Sequence, residues 1–193
     1  MQLDFERIYR DNLWNSSESR SGSGSELQNT RQLVQELKLL FDKLNIHSLL
    51  DIPCGDFNWM RTMDLSAIDY IGADIVLDLL AYLRATYHQY CFVQLDIRCD
   101  KLPRCDFVLC RDCIVHFDFI DGLRAVDNVR NSGARWFAAT TFPSLSRNDD
   151  LTSIWRPLNL QLPPFNLVPT MLIDENYDTN IFGRKMLGIY QLY

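Results

Sequence analysis

The sequence has no run of 18 or more apolar residues, so no segment of it reads as a transmembrane helix. Its opening, Met1-Gln2-Leu3-Asp4-Phe5-Glu6, lacks the charged-then-apolar pattern of a secretory signal, and a cytoplasmic protein is expected. Positive charge is scarce. The 19 Lys and Arg against 25 Asp and Glu leave a formal net charge of −6. That argues against a long nucleic-acid partner, because phosphate binding calls for a concentrated basic surface; a local basic groove stays open. There is no internal repeat, and no Gly-x-Gly-x-x-Gly fingerprint, which disfavours a nicotinamide-dependent oxidoreductase. Without a secretory signal, the six cysteines (54, 91, 99, 105, 110 and 113) read as reduced, partly buried thiols.

What remains is a globular composition. Hydrophobic residues make up 47% and charged residues 23% of the 193, and 12% aromatic content argues against disorder. A chain of this length buries roughly 70% of the surface its unfolded form exposes. It needs neither a disulfide nor a metal to hold a core, and residues 1–193 are expected to form one domain.

Phe5, Ile8, Tyr9 and Leu13 suggest a short amphipathic helix near the start. Ser16 to Ser25 is Ser/Gly-rich loop. A helix capped by Thr30 is expected next, carrying Leu33, Val34, Leu37, Leu40, Phe41 and Leu44 on one face. Short apolar runs then alternate with helical patterns. Strands are expected at Ser48–Ile52, Tyr70–Asp74, Cys91–Leu95, Asp106–Cys110 and Arg135–Thr141, with helices at Leu77–Tyr87 and Phe119–Asn131. This rhythm predicts an α/β fold with a mostly parallel sheet. It fails after Thr141, where Pro143, Pro157, Pro163 and Pro164 rule out one regular element. Two late strands, near Asn166–Ile173 and Lys185–Leu192, have no helix of useful length between them and are expected to pair antiparallel.

The segment Leu49-Leu50-Asp51-Ile52-Pro53-Cys54-Gly55-Asp56-Phe57 carries the chemistry. An acidic residue ends a buried strand and a glycine turn follows, which lets backbone approach a cofactor. Asp74 ends the second strand, where a carboxylate can accept both hydroxyl protons of an adenosine ribose. Asp96 ends the third, within reach of an adenine amino group. Each Asp alone also fits a helix cap. Three in succession, with the glycine turn, favour a nucleoside-bearing cofactor.

These residues resemble the class I S-adenosylmethionine-dependent methyltransferases, over about Asn29 to Tyr193. Asp51, Cys54 and Gly55 match a common form of the family's Asp-x-Gly-x-Gly-x-Gly motif, while Pro53 and Phe57 stand where glycines are usual. The resemblance implies a Rossmann-like three-layer sandwich, with a seven-stranded, mostly parallel sheet ending in an antiparallel hairpin. It implies S-adenosyl-L-methionine as cofactor, with Asp51, Pro53, Cys54, Gly55, Asp74, Ile75, Asp96, Ile97 and Cys110 around it. Cys110-Arg111-Asp112 would face the methyl group.

The substrate side is read from position. Cys110 to His116 follows the fourth strand, at the sheet edge where ligands of open α/β folds bind. Arg111 and Asp112 are candidates for substrate contact and His116 for proton acceptor; a structural histidine tying the loop to backbone is an equal alternative. Cys110-x-x-Cys113 could be a redox pair, but the usual aromatic before it and Gly-Pro within it are missing; with His116 and Cys54 it could be a metal site, but no second C-x-x-C supports that, and no metal is expected. Gly24 and Ser25 belong either to a plain linker or to a lid whose backbone N–H groups receive the cofactor's carboxylate. Residues 1–28 would supply that lid, and the irregular stretch 142–165 a substrate wall through Trp155, Arg156 and Asn159. The expected function is methyl transfer to a small-molecule acceptor; the alternative is a non-catalytic module of the same fold.

Overall fold

The computed structural model describes residues 4–179 and 181–193. Five parallel strands come first: β1 (Ser48–Asp51), β2 (Asp69–Asp74), β3 (Cys91–Gln94), β4 (Phe107–Cys110) and β5 (Trp136–Thr141). Two antiparallel strands follow, β6 (Met171–Asp178) and β7 (Arg184–Gln191). The sheet order is β3-β2-β1-β4-β5-β7-β6. Its centre is apolar on both sides, as a covered parallel sheet requires: Leu49, Leu50, Phe107, Val108 and Leu109 are all buried.

One face is covered by α2 (Leu27–Leu44) and α3 (Leu77–Thr86), through Leu33, Leu37, Leu40, Phe41, Leu80 and Leu83. The other is covered by α4 (Phe119–Asn131) through Ala125, Val126 and Val129. Beside α4, Leu158, Leu160 and Phe165 join the same cluster. The proline-rich segment therefore does the work of the helix that its prolines forbid. It is held by backbone bonds: Phe142 donates to Leu158 O and Leu167 to Leu160 O, both over 2.8 Å.

Three local expectations are corrected. Thr30 does not cap α2; the helix starts three residues earlier, and the Thr30 hydroxyl donates to Glu26 O inside its first turn. Leu13 lies beyond α1 (Phe5–Arg10) and is half-exposed. The first late strand runs over 171–178 rather than 166–173. Asn166 has a positive φ of 50° and Leu167 is committed to the α4-side core, so the strand begins only after Pro169-Thr170. Among the described residues no helix is long and apolar enough to cross a membrane.

Candidate active site

A cavity of about 1440 Å³ lies over the C-terminal ends of the parallel strands. Backbone geometry builds its β1–β3 half. The turn after β1 has Gly55 at φ +53°, and a Cβ there would lie 2.3 Å from Ser21 Oγ. Only glycine lets the loop 19–25 rest against this turn. Phe57 also has a left-handed backbone, at φ +61°. That costs roughly 1–2 kcal/mol for a residue with a side chain. Its buried ring packs 5.0–5.4 Å from those of Tyr70, Tyr87, Tyr90 and Phe92, which offsets the cost. A glycine-like conformation is thus kept without the glycine.

Asp74 ends β2 beside this turn. Its Oδ1 accepts from Ile75 N (2.8 Å) and Val76 N (3.1 Å), and its Oδ2 from Gly55 N (3.2 Å). Burial nevertheless lifts its pKa to about 6. Burial likewise raises Asp51 to about 7, against the opposing pull of the Tyr70 hydroxyl that donates to it over 2.9 Å. Both carboxylates line the cavity, as do Pro53, Cys54, Gly55, Ile75 and Ile97. Asp96 lines it too but is already engaged. Arg98 grips both its oxygens at 2.7–3.2 Å and holds its pKa below the usual range. Cys110 is buried beneath the lining rather than in it.

Residues 4–26 roof the cavity. Glu6 Oε1 accepts from Leu77 N at 2.6 Å. Asp56 accepts from Arg20 N (2.7 Å) and from Ser19 Oγ (2.9 Å to Oδ2). Gly24 and Ser25 line the cavity, and Gly24 O accepts from Arg111 Nη2 at 2.7 Å.

The β4–β7 half is built from side chains. Arg111, expected to meet substrate, lines the cavity but is largely buried and engaged by the protein. Its guanidinium bonds Glu175 Oε2 at 2.6 Å as well as Gly24 O, and lies over the Trp59 ring. Asp112, at φ +52°, exchanges two bonds with Thr140 Oγ1 and binds Lys185 Nζ at 2.7 Å. Burial raises its pKa, but Lys185 and Arg111 prevail and hold it well below the usual carboxylate range. Lys185 Nζ also lies 3.2 Å from Glu175 Oε2. Two cations and two carboxylates thus form one buried, balanced cluster. Sequence reasoning missed Glu175 and Lys185, though a signal existed. Lys185 leads the alternation Leu187, Ile189, and Glu175 continues Ile173: charges in line with inward apolar positions. Glu175 is one of the two residues between Asp174 and Tyr177 at which the β6–β7 register shifts.

His116 and Trp155 line the cavity, whereas Arg156 and Asn159 do not. The expected wall of Arg156 and Asn159 is therefore corrected. Arg156 Nε donates to Asp149 O (2.8 Å), and Asn159 Nδ2 to Leu145 O (3.0 Å) and Pro143 O (3.3 Å). Both side chains satisfy carbonyls of an irregular segment that has no ladder of its own. His116 Nδ1 lies 2.6 Å from Ile154 O. Cys113 lines the cavity; its hydrogen bond with Cys110 and its burial push its thiol pKa well up, the reverse of an activated redox cysteine. Among the described residues no three His, Cys, Asp or Glu side chains gather as a metal site.

The sequence matches no protein-family model and no curated protein sequence. Its fold is shared with solved structures. An S-adenosylmethionine-dependent methyltransferase from Clostridium acetobutylicum superposes with a TM-score of 0.64 at 12% identity, over 83% of this chain and 91% of that one. Magnesium protoporphyrin IX methyltransferase from Synechocystis, solved with bound S-adenosylmethionine, gives 0.62 at 12%, over 98% of both chains. The 1,6-didemethyltoxoflavin-N1-methyltransferase of Burkholderia thailandensis, with its substrate and S-adenosylhomocysteine, gives 0.60 at 12%, over 99% and 92%. The chain has the class I methyltransferase fold.

Proposed function

We propose that this class I methyltransferase-fold chain binds S-adenosylmethionine and catalyses methyl transfer to a small-molecule acceptor. The observation that carries this reading is the joining of Asp74, the Gly55 turn and the loop 19–25 at one cavity. The residues fit the cofactor. Asp74 Oδ2 takes only one backbone bond, which leaves it capacity for ribose hydroxyls. Asp51, Pro53 and Cys54 line the adjoining floor, and Ile75 and Ile97 offer apolar flanks to an adenine. Gly24 and Ser25 line the same cavity, and the Gly24 N–H would serve an amino-acid carboxylate, the Ser25 N–H being donated to Gly22 O. When bound, the cofactor supplies an electrophilic methyl on a sulfonium. The protein's task is then to align the acceptor and exclude water, which its roof of Phe5, Trp14 and residues 20–25 supports.

In this reading residues 1–193 act as one domain, with 1–28 as lid and 142–165 contributing Trp155 to the acceptor wall. Two of the compared enzymes act on ring compounds by their names, and a cavity of this size accommodates cofactor and a ring-sized acceptor together. A cytoplasmic setting accords with six free thiols. Calorimetry with S-adenosylhomocysteine tests the binding step, and the absence of binding in folded protein refutes the proposal. Binding without turnover on any acceptor leaves the non-catalytic alternative.

A further inference from the structure

Resting on that methyl-transfer reading, we propose that the acceptor is a neutral hydroxyl on a planar aromatic ring and that His116 Nε2 takes its proton. The β4–β7 half of the cavity is lined by aromatic side chains from separate segments. Trp155 has its ring 5.8 Å from those of both Phe142 and Phe182. Trp14 and Phe5 lie 5.4 and 5.7 Å from the His116 ring. All six line the cavity, and flat apolar faces receive flat rings.

Charge on this side is already balanced. Asp112 and Glu175 are matched by Lys185 and Arg111. An ammonium or carboxylate acceptor brought against this cluster would find no free counter-charge in it, and desolvating it unpaired is costly. A neutral acceptor is favoured, and its nucleophilic atom carries a proton that has to leave.

His116 is set up to take it. A carbonyl oxygen can only accept, so the 2.6 Å contact with Ile154 O fixes the proton on Nδ1. The lone pair is then on Nε2, which has no hydrogen-bond partner among the described residues, on a ring that lines the cavity. Burial lowers the His116 pKa and keeps the ring neutral near pH 7. The charged groups facing it are Asp112, from the turn after β4, and Arg156, from the 142–165 segment, which oppose each other; Phe5 and Trp14 bring no charge. The step balances. The acceptor O–H bond breaks and its proton goes to Nε2. The oxygen bonds the methyl carbon, the electron pair of the broken S–C bond stays on sulfur, and the imidazolium later passes its proton to water.

The test uses the full chain and a His116→Asn variant, whose Nδ2 can still donate to Ile154 O but which has no base. Calorimetry with S-adenosylhomocysteine comes first. Equal affinity in both proteins is expected, and no binding by either would mean that the methyl-transfer reading has failed, a separate result. NMR of 15N-histidine-labelled protein without cofactor should show His116 protonated at Nδ1 and titrating below the ordinary histidine value. An Nε2–H tautomer overturns the proposal. Formation of S-adenosylhomocysteine is then followed at pH 8 with catechol, a protonated phenol, and with 4-nitrophenol, already ionised. The variant should lose about a hundredfold on catechol and little on 4-nitrophenol. Equal losses on both, or turnover of neither phenol by the unaltered protein, overturns the proposal.

Discussion

The two halves of the cavity are made differently. At the ends of β1, β2 and β3, the shape comes from backbone: a left-handed Gly55, a left-handed Phe57 and three N–H groups gathered on Asp74. At the ends of β4 to β7, it comes from side chains drawn from distant parts of the chain, and Arg111, Asp112, Glu175 and Lys185 lock together there. The first construction needs the adjacent strands β1 to β3 and the turns that follow them. The second needs the whole sheet assembled, and its parts depend on one another. The β4–β7 half should therefore respond to single changes by losing stability, and the β1–β3 half by losing affinity.

The largest expected effect comes from Glu175→Leu. It strands Arg111 and Lys185 in a buried site with only Asp112 to pair them. A loss of about 3–5 kcal/mol in urea unfolding is expected, as for other broken buried ion clusters. A loss under about 1 kcal/mol would show that the cluster is wet, and the contrast between the halves would fall.

Asp51→Asn should act in the opposite direction. The Asp51 carboxyl titrates near 3.9 in the unfolded chain and at about 7 when folded. Below about pH 4 both states hold the proton. As pH rises from there to 7, only the unfolded chain releases it, so stability falls through that window and is flat above it. Asparagine removes this dependence and still accepts from Tyr70. Unfolding at pH 8 should show a gain on the order of 2–4 kcal/mol that vanishes near pH 4. A gain independent of pH would mean that Asp51 is not the titrating group.

The same contrast governs what could be read from sequence. β1 to β5, α3 and α4 match their expected places to within about two residues, because buried parallel strands and amphipathic helices have local signatures. The acidic strand ends and the glycine turn were legible for the same reason. Illegible were features that exist only once the chain has folded: the pairing of Glu175 with Arg111 and Lys185, the lid contact of Gly24 O with Arg111, and the capture of Asp96 by Arg98. Arg156 and Asn159 misled because polar residues in an irregular loop serve backbone carbonyls as readily as a ligand. Phe57 looked like a break in a glycine motif because only the backbone angle shows that a glycine-like conformation is kept there.

Asp74→Ala tests the affinity half. It removes the acceptor proposed for the ribose hydroxyls and frees three backbone donors that Asp74 now satisfies. S-adenosylhomocysteine affinity should drop by about 1–3 kcal/mol, measured by calorimetry on protein shown to be folded. Unchanged affinity would remove Asp74 from the proposed site.

The smallest effect on global stability, and the finest probe of the contrast, is expected of Asp56→Asn. Asp56 belongs to the backbone-built turn but reaches outward to the lid, where it receives Arg20 N and Ser19 Oγ, while Ser21 Oγ accepts from its own N–H at 2.9 Å. These bonds tie residues 19–21 to a turn that is itself fixed by Cys54 N donating to Ala73 O. Asparagine removes the charge and keeps one acceptor oxygen: placed at Oδ2 it still receives Arg20 N and Ser19 Oγ, but as a weaker neutral acceptor, and the amide nitrogen no longer accepts from Asn58 N or Ser21 Oγ as Oδ1 does. The side chain is partly exposed, and water replaces much of what is lost; a change of about 0.5–1.5 kcal/mol in global unfolding is the ceiling. Local opening is another matter. The ties of residues 19–21 run to Asp56, so weakening that carboxylate loosens this segment locally, and local opening costs less than global unfolding. Amide exchange at Ser21 to Ser25 should quicken by about tenfold, the equivalent of about 1.4 kcal/mol, while β1 and β4 amides exchange unchanged. Equal acceleration across lid and sheet would show that the lid opens only with the whole protein. An unchanged lid would show that the Gly24–Arg111 contact on the other half suffices to hold it.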